Sequence, residues 1–108
     1  YWLMNIEKTI INNRLFDLYD TLLTEKQKEV FQYYYHDDLS YQEIADILGI
    51  SRAAVFDNLS RTLNLLEDYE LKLGCMALID DLTYLENKEV DRILNDYTRR
   101  KLWVKYYQ

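Results

Sequence analysis

The fold of this 108-residue chain follows from one stretch, which reads Leu39-Ser40-Tyr41-Gln42-Glu43-Ile44-Ala45-Asp46-Ile47-Leu48-Gly49-Ile50-Ser51-Arg52-Ala53-Ala54-Val55. Ser40 followed by Glu43 has the spacing of a capping box, which predicts a short helix that ends near Leu48. Gly49 follows directly, and glycine adopts the left-handed turn that ends a helix without a steric cost. Ser51 then predicts the cap of another helix.

The apolar residues of this stretch have the spacing of a helix-turn-helix motif. Ala45 is small at a position where two helices approach closely, and Val55 lies six residues after the glycine. We expect Val55 to return to an apolar pocket made by Ile44, Leu48 and Ile50. In the versions of this motif that bind DNA, the first turns of the second helix face the bases in the major groove.

The preceding segment continues the helical pattern. Between Ile6 and Leu23 apolar residues recur at helical spacing, which predicts one amphipathic helix. Its expected inward residues form two adjacent rows, Ile11, Leu15, Leu18 and Leu22 in the first and Phe16, Tyr19 and Leu23 in the second. Thr24 followed by Gln27 predicts a second capping box, and thus a helix with Val30, Phe31 and Tyr34 inward.

The helix that Ser51 caps is predicted to reach Gly74, a length of about 33 Å at 1.5 Å per residue. Such a helix extends beyond a compact three-helix unit, so its distal half needs cover. Helices over about 75–85 and 88–107, the second capped by Asn87, can supply that cover. We predict one domain over residues 1–108, with a helix-turn-helix core over 6–73 and a C-terminal helical extension over 75–108.

Composition also favours helices. The chain is 49% hydrophobic and 15% aromatic, contains no proline and has only two glycines. Hairpin-rich sheet folds need turn residues that this sequence lacks. The predicted fold class is therefore all-α, an orthogonal helical bundle with a helix-turn-helix, without a wing, with a long fourth helix and a C-terminal helical extension.

The charge distribution argues against strong nonspecific DNA binding. The formal net charge is −6, and residues 24–68 carry four basic against nine acidic side chains. Proteins that grip phosphates usually present a net basic surface. The concentrated positive charge is Arg99-Arg100-Lys101 with Lys105. This cluster either contacts RNA, phosphate or an acidic partner, or is a positive last turn that favours a helix C-terminus.

Other residue patterns narrow the function classes. The single cysteine, Cys75, excludes an intrachain disulfide and fits a reducing cytosol, so a cytoplasmic location is expected. No apolar run approaches the roughly 20 residues that cross a bilayer, and residues 1–4 do not resemble a signal peptide. His36 is predicted to be a solvated turn residue rather than a metal ligand. No catalytic constellation is recognisable, so we predict a non-enzyme without cofactor or metal.

Residues 24–66 resemble region 4 of bacterial sigma-70-type factors, including the T-x-x-Q stretch and the S-R-x-x-V turn. Residues 6–75 resemble the YlxM family of small bacterial proteins still more closely. The segments that carry this second resemblance are Leu22-Leu23-Thr24-Glu25-Lys26-Gln27, Tyr34-Tyr35-His36-Asp37-Asp38-Leu39-Ser40, Glu43-Ile44-Ala45, Ser51-Arg52-Ala53-Ala54-Val55-Phe56-Asp57-Asn58 and Leu66-Glu67-Asp68-Tyr69-Glu70.

The resemblance implies a helix-turn-helix regulatory or accessory protein of the signal recognition particle pathway, with the particle protein, its receptor or its RNA as partner. The alternative is a transcriptional regulator that reads DNA. Its nucleic-acid-binding residues would be Ser51, Arg52, Ala53, Phe56, Asn58 and Arg61. Ala53 stands where the family commonly has glutamine, and Ser60 where it often has a basic residue, so base and phosphate contacts would be weaker. The apolar surface of the long helix and its extension predicts a homodimer.

Overall fold

The computed structural model describes the backbone of residues 2–107 and the side chains of residues 6–98. Helices account for nearly all of the described backbone, which contains no strand, so the all-α prediction is confirmed. The helices are α1 (Trp2–Tyr19), a 3-10 helix (Asp20–Leu22), α2 (Glu25–Tyr35), α3 (Tyr41–Leu48), α4 (Arg52–Leu73), α5 (Cys75–Tyr84) and α6 (Lys88–Tyr107).

The chain divides into two compact units, Tyr1–Leu73 and Gly74–Gln108. The first unit contains α1 to α4, and α4 packs against each of the other three helices. The second unit is the hairpin formed by α5 and α6. The organisation of residues 1–108 as one domain stays a prediction.

Both predicted capping boxes are present. At α2 the Gln27 amide donates to Thr24 Oγ1 (3.2 Å), and the Thr24 amide donates to Gln27 Oε1 (3.0 Å). At α3 the same reciprocal pair joins Ser40 and Glu43, with both distances 3.1 Å. These bonds satisfy backbone amides that a helix start leaves without intrahelical partners. They therefore set where the two helices begin.

The turn between α3 and α4 has the predicted geometry. Gly49 adopts φ 67° and ψ 34°, and its amide donates to the Ala45 carbonyl. The Ile50 amide donates to the same carbonyl at 3.1 Å. Ser51 Oγ then accepts from the Ala54 amide (3.0 Å) and caps α4. The helix-turn-helix prediction is confirmed.

The core of the first unit lies where α4 meets its three neighbours. The rings of Phe16 and Phe31 stack with their centroids 4.2 Å apart, which joins α1 to α2. The side chains of Ile44, Ala45 and Val55 are buried where α3 packs on α4. The buried apolar residues are Leu15, Phe16, Tyr19, Leu23, Val30, Phe31, Ile44, Ala45, Val55, Leu59 and Leu66.

One predicted row of the first helix is partly wrong. Ile11 is 43% exposed and Leu22 is 53% exposed, although both were expected to face inward. Leu22 turns outward because α1 ends at Tyr19 and continues as a 3-10 helix, whose three residues per turn shift the register. The buried neighbour of Ile11 is Asn12, whose Nδ2 donates to the Tyr35 hydroxyl at 3.0 Å.

Two tyrosines tie the end of α1 to the distal part of α4. The buried Tyr19 hydroxyl donates to Glu70 Oε1 at 2.7 Å. The Tyr69 hydroxyl donates a hydrogen bond to the Leu22 carbonyl oxygen at 3.4 Å. Hydrogen bonds to charged acceptors are the stronger kind, so the Tyr19–Glu70 bond is the main polar link here. These two bonds thus hold the distal part of α4, which lies beyond the helix-turn-helix, to the end of α1.

The second unit also follows its sequence signals. Gly74 is left-handed (φ 66°) and precedes α5. Asn87 Oδ1 accepts from the amides of Glu89 (2.9 Å) and Val90 (3.2 Å), which is the predicted cap of α6. Within residues 74–98, where side chains are described, every side chain is half-buried or exposed. This hairpin therefore lacks a buried core over those residues.

Replacing Gly49 tests the left-handed turn. We expect Gly49→Ala to lower the free energy of unfolding by about 1–2 kcal/mol, because a left-handed backbone strains any residue with a Cβ. A Cβ at this position meets no heavy atom within 4 Å, so the cost comes from the backbone rather than from a clash. Urea unfolding measures the change. Gly49→Asn is the control and should lose less, since asparagine tolerates this conformation; equal losses would contradict the turn.

Candidate functional site

The outward surface of the first half of α4 is the candidate site, because this is the helix that a helix-turn-helix presents to a partner. The structure leaves five of the six predicted residues exposed and places the sixth, Asn58, half inside. The exposed ones are Ser51, Arg52, Ala53, Phe56 and Arg61. They lie on more than one side of the helix, as a spacing of 100° per residue requires.

The side chain and the carbonyl of Ser51 both accept hydrogen bonds from the first turn of α4. Its Oγ accepts from the Ala54 amide at 3.0 Å, and its carbonyl accepts from the Val55 amide at 3.1 Å. The hydroxyl proton is left to donate outward. Ser51 can therefore donate to a phosphate or carbonyl while it keeps its capping role.

Phe56 is a large apolar residue exposed on this surface, with 56% of its area accessible. Its ring lies edge-on to Tyr41, with the centroids 5.7 Å apart. Tyr41 in turn stacks on Tyr34 at 5.1 Å and an interplanar angle of 14°. The beginning of α4 therefore presents an aromatic cluster, defined by Tyr34, Tyr41 and Phe56, that joins the ends of three helices.

Tyr41 was not among the predicted site residues, although its spacing in the sequence gave a signal. Tyr41, Ile44, Ala45 and Leu48 have the i, i+3, i+4, i+7 spacing of one helix face. Two tyrosines near the end of α2 contact different helices. Tyr35 bonds to Asn12 of α1, whereas Tyr34 stacks on Tyr41 of α3.

The environment of Tyr41 keeps its hydroxyl protonated. Burial raises the pKa of Tyr41 to about 12, and the neighbouring Tyr34 hydroxyl adds to the rise. The guanidinium of Arg52 acts in the opposite direction on the same pKa. A positive charge at the start of α4 is thus close enough to influence the aromatic cluster.

The side-chain oxygen of Asn58 does not face outward, as it would in a residue that contacts DNA bases. Its Oδ1 is buried and has no hydrogen-bond partner within the described part of the chain. Bidentate reading of adenine uses both the oxygen and the nitrogen of the amide. In this conformation Asn58 offers no oxygen outward, so that contact would require the side chain to rotate.

Arg61 forms an intramolecular ion pair with Asp57. Its Nε lies 3.0 Å from Asp57 Oδ2, one helical turn earlier, and its side chain is 75% exposed. An exposed pair of this kind contributes about 0.3–0.5 kcal/mol, so it is easily exchanged for another partner. Arg52 is nine residues before Arg61, which places the two arginines on opposite sides of α4. They do not form one basic stripe.

The motif lies in an acidic unit. Residues 24–68 carry a formal charge of −5, and two of the four basic side chains there are paired with carboxylates, Lys28 with Glu25 and Arg61 with Asp57. At moderate ionic strength the net negative charge of this unit would repel phosphates that no basic side chain neutralises. The described surface of α4 is therefore mixed in charge around an exposed aromatic ring.

The remaining candidate groups lie elsewhere. His36 is exposed at the end of α2, where its Nε2 is 3.1 Å from Asn13 Oδ1 and its ring lies edge-on to Phe16 and Phe31. No group of three or more His, Cys, Asp or Glu that could hold a metal ion occurs among the described residues. Cys75 is half-buried. The side chains of the basic cluster Arg99, Arg100 and Lys101 lie outside the described ones.

Within the described residues, no helix is both long and apolar enough to span a bilayer. The fold and this surface define an all-α protein of the helix-turn-helix class. The family model described as UPF0122, "Putative helix-turn-helix protein, YlxM / p13 like", matches residues 6–105. The chain belongs to this family.

Relatives of similar length support the assignment. The UPF0122 proteins of Streptococcus pneumoniae strains Hungary19A-6 and CGSP14 are each 44% identical to this chain over 97 residues. The UPF0122 protein of serotype 19F strain G54 has the same identity. Each match covers 89% of this chain and 84% of the relative. The predicted family is therefore confirmed, and the match extends into the C-terminal helices.

The raised pKa of Tyr41 gives a pH test of the aromatic cluster. The folded-state pKa of about 12 exceeds the ordinary value of 10.0, so its contribution to stability is complete below pH 10 and is lost as the pH rises towards 12. We expect the free energy of unfolding of Tyr41→Phe to fall less over this range than that of the native chain. Tyr84→Phe, which removes an exposed tyrosine, is the control. Identical pH profiles for native protein and Tyr41→Phe would contradict the buried hydroxyl.

Proposed function

We propose that this protein is a non-catalytic helix-turn-helix accessory protein of the signal recognition particle pathway, acting in the cytoplasm. Its partner would be the particle protein, the receptor or the particle RNA. Membership of the YlxM / p13-like family, which is described as helix-turn-helix proteins, supports the helix-turn-helix part of this proposal. The observation that carries it is the outward surface of α4, where Phe56 is exposed and Arg61 is paired with Asp57.

The charge of the site favours a protein surface over duplex DNA as its main partner. A DNA-binding face gains most of its affinity from Lys and Arg side chains that neutralise phosphates. Here the unit is acidic, and Arg52 and Arg61 point to opposite sides of the helix. An exposed aromatic ring surrounded by polar side chains is instead typical of the centre of a protein interface.

A GTPase assay tests the proposal. Adding the protein to the particle and its receptor should change their rate of GTP hydrolysis, and Phe56→Ala should raise the half-effective concentration about 30-fold, the effect of losing about 2 kcal/mol at an interface centre. Leu71→Ala is the matched control, since Leu71 is an exposed apolar residue near the other end of α4.

Two outcomes would count against this function. The first is an unchanged GTPase rate together with no binding to the particle, its RNA or the receptor. The second is an equal loss in Phe56→Ala and Leu71→Ala, which would remove the aromatic cluster from the interface. Helical content by circular dichroism checks that both variants are folded.

The second candidate function is sequence-specific DNA binding as a transcriptional regulator. It is favoured by the turn at Gly49, which presents the capped start of α4, and by the exposed Arg52 in its first turn. In this alternative the readers are Ser51, Arg52, Ala53, Phe56, Asn58 and Arg61. Asn58 would rotate to offer its amide, and Arg61 would exchange Asp57 for phosphate.

A titration with duplex DNA separates the two candidates. A DNA reader should lose affinity steeply between about 50 and 200 mM salt and discriminate among sequences. Arg52→Ala should then weaken binding by about 1–3 kcal/mol if it contacts a base, and Lys26→Ala, outside α4, is the control. Weak binding that is the same for all duplexes would leave the accessory function as the proposal. Tight, selective binding would replace it.

The proposal also includes a homodimer as the working form. The hairpin formed by α5 and α6 leaves apolar side chains at its surface, among them Leu78, Leu85 and Ile93. Apolar surface of this kind on a small unit favours association. A two-fold pair is the commonest arrangement for identical chains.

A further inference from the structure

The α5–α6 hairpin is too thinly packed to be complete by itself. None of the side chains described in residues 74–98 is buried, whereas the helix-turn-helix unit buries eleven apolar side chains. Two helices without a shared buried core gain little stability from each other in water. A further surface is therefore needed to cover the apolar residues of this hairpin.

Exposed apolar residues recur at helical spacing on both helices. Leu78 on α5 and Leu85, the residue in helical conformation that directly follows α5, are seven residues apart, and Ile93 and Tyr97 are four apart on α6. Each pair therefore lies on one side of its own helix. Leu78, Leu85 and Ile93 are all more than half exposed. A partner of this hairpin must offer apolar side chains to both helices.

The charges of the hairpin are separated along the sequence. Residues 80–96 contain six acidic and two basic residues, a net charge of −4, and residues 97–108 contain four basic and no acidic residues, a net charge of +4. The two segments of one chain thus have equal and opposite formal charge. A second copy of the same chain offers the complement of each.

Helix lengths separate these segments in space as well. α5 has 10 residues and α6 has 20, or about 15 and 30 Å at 1.5 Å per residue. Since only Leu85-Glu86-Asn87 join them, α5 can lie along no more than the first half of α6. The acidic segment, residues 80–96, comprises the second half of α5, the connection and about the first half of α6, and the basic segment falls in the second half of α6.

We propose that two copies of this chain associate through their α5–α6 hairpins in an antiparallel, two-fold arrangement. The basic second half of α6 in each copy lies along the acidic segment of the other copy, and the exposed Leu78, Leu85, Ile93 and Tyr97 are covered at the same interface. A parallel arrangement would place the two basic segments side by side, where like charges repel. This inference rests on the proposed homodimer and adds its surface and direction.

Charge-reversal variants of the full-length chain test the arrangement. The first variant carries Arg99→Glu and Arg100→Glu, and the second carries Asp81→Lys and Asp96→Lys; both aspartates are exposed. Each variant by itself should dissociate about tenfold more readily than the native dimer, because like charges then face each other across the interface. An equimolar mixture of the two should form a heterodimer at close to native strength.

The matched control is Lys8→Glu with Lys26→Glu, which changes the net charge as much as the first variant but in the other unit, at exposed positions. It should leave the dissociation constant unchanged. Sedimentation velocity at tens of micromolar measures the native chain, the two variants, their mixture and the control, and circular dichroism reports the helical content of these five samples. Raising the salt from about 50 to 500 mM should weaken the native dimer, since the attraction between its charged segments is screened.

Three results would overturn the antiparallel dimer. One is a monomer at tens of micromolar with intact helical content. Another is a dimer that becomes tighter with salt, or single variants that associate as strongly as the native chain, both of which indicate a parallel pair. The last is a loss in the Lys8 and Lys26 control as large as in the first variant. None of these measurements uses the signal recognition particle or DNA, so they test the antiparallel dimer independently of the function proposed above.

Discussion

Gly49 holds the backbone in a left-handed turn (φ 67°), and the helix-turn-helix unit depends on that turn. The amides of Gly49 and Ile50 both donate to the Ala45 carbonyl, which ends α3 so that only three residues separate it from α4. Only with this bend can α4 pack against α1, α2 and α3 together and bury Val55 beside the core. The same bend presents the first turns of α4 outward, so the turn sets the candidate site as well as the core.

The chemistry of that site depends on which of its polar groups already form hydrogen bonds or ion pairs within the fold. Ser51 caps the helix, Asn58 keeps its oxygen inside, and Asp57 pairs with Arg61. Little is then left to neutralise phosphates. Phe56, supported edge-on by Tyr41, becomes the prominent outward group. A helix-turn-helix can in this way retain its backbone geometry while its surface favours a protein partner, since the geometry depends on capping and the specificity on exposed side chains.

The two units are stabilised differently. The first has stacked phenylalanines, a buried apolar core and the Tyr19–Glu70 hydrogen bond that reaches the distal part of α4. The second has a side-chain cap at α6, from Asn87, and a left-handed glycine before α5, but no buried side chain over residues 74–98. Local capping is sufficient to define where its helices begin, whereas their stability requires apolar cover. The separated charges of residues 80–96 and 97–108 suggest a second copy as the source of that cover.

The helix starts and the turn could be predicted from the sequence, because capping boxes and a left-handed glycine act between residues no more than a few positions apart. The family could be predicted from the sequence motifs. Thr24, Ser40, Gly49 and Asn87 all have the predicted roles. Tertiary structure decided which side chains of those helices are covered. Leu22 faces outward because α1 continues as a 3-10 helix, and Tyr34 stacks on Tyr41 of α3. Asn58 turned its oxygen inward for the same reason: burial depends on neighbours distant in sequence, which periodicity along one helix does not specify.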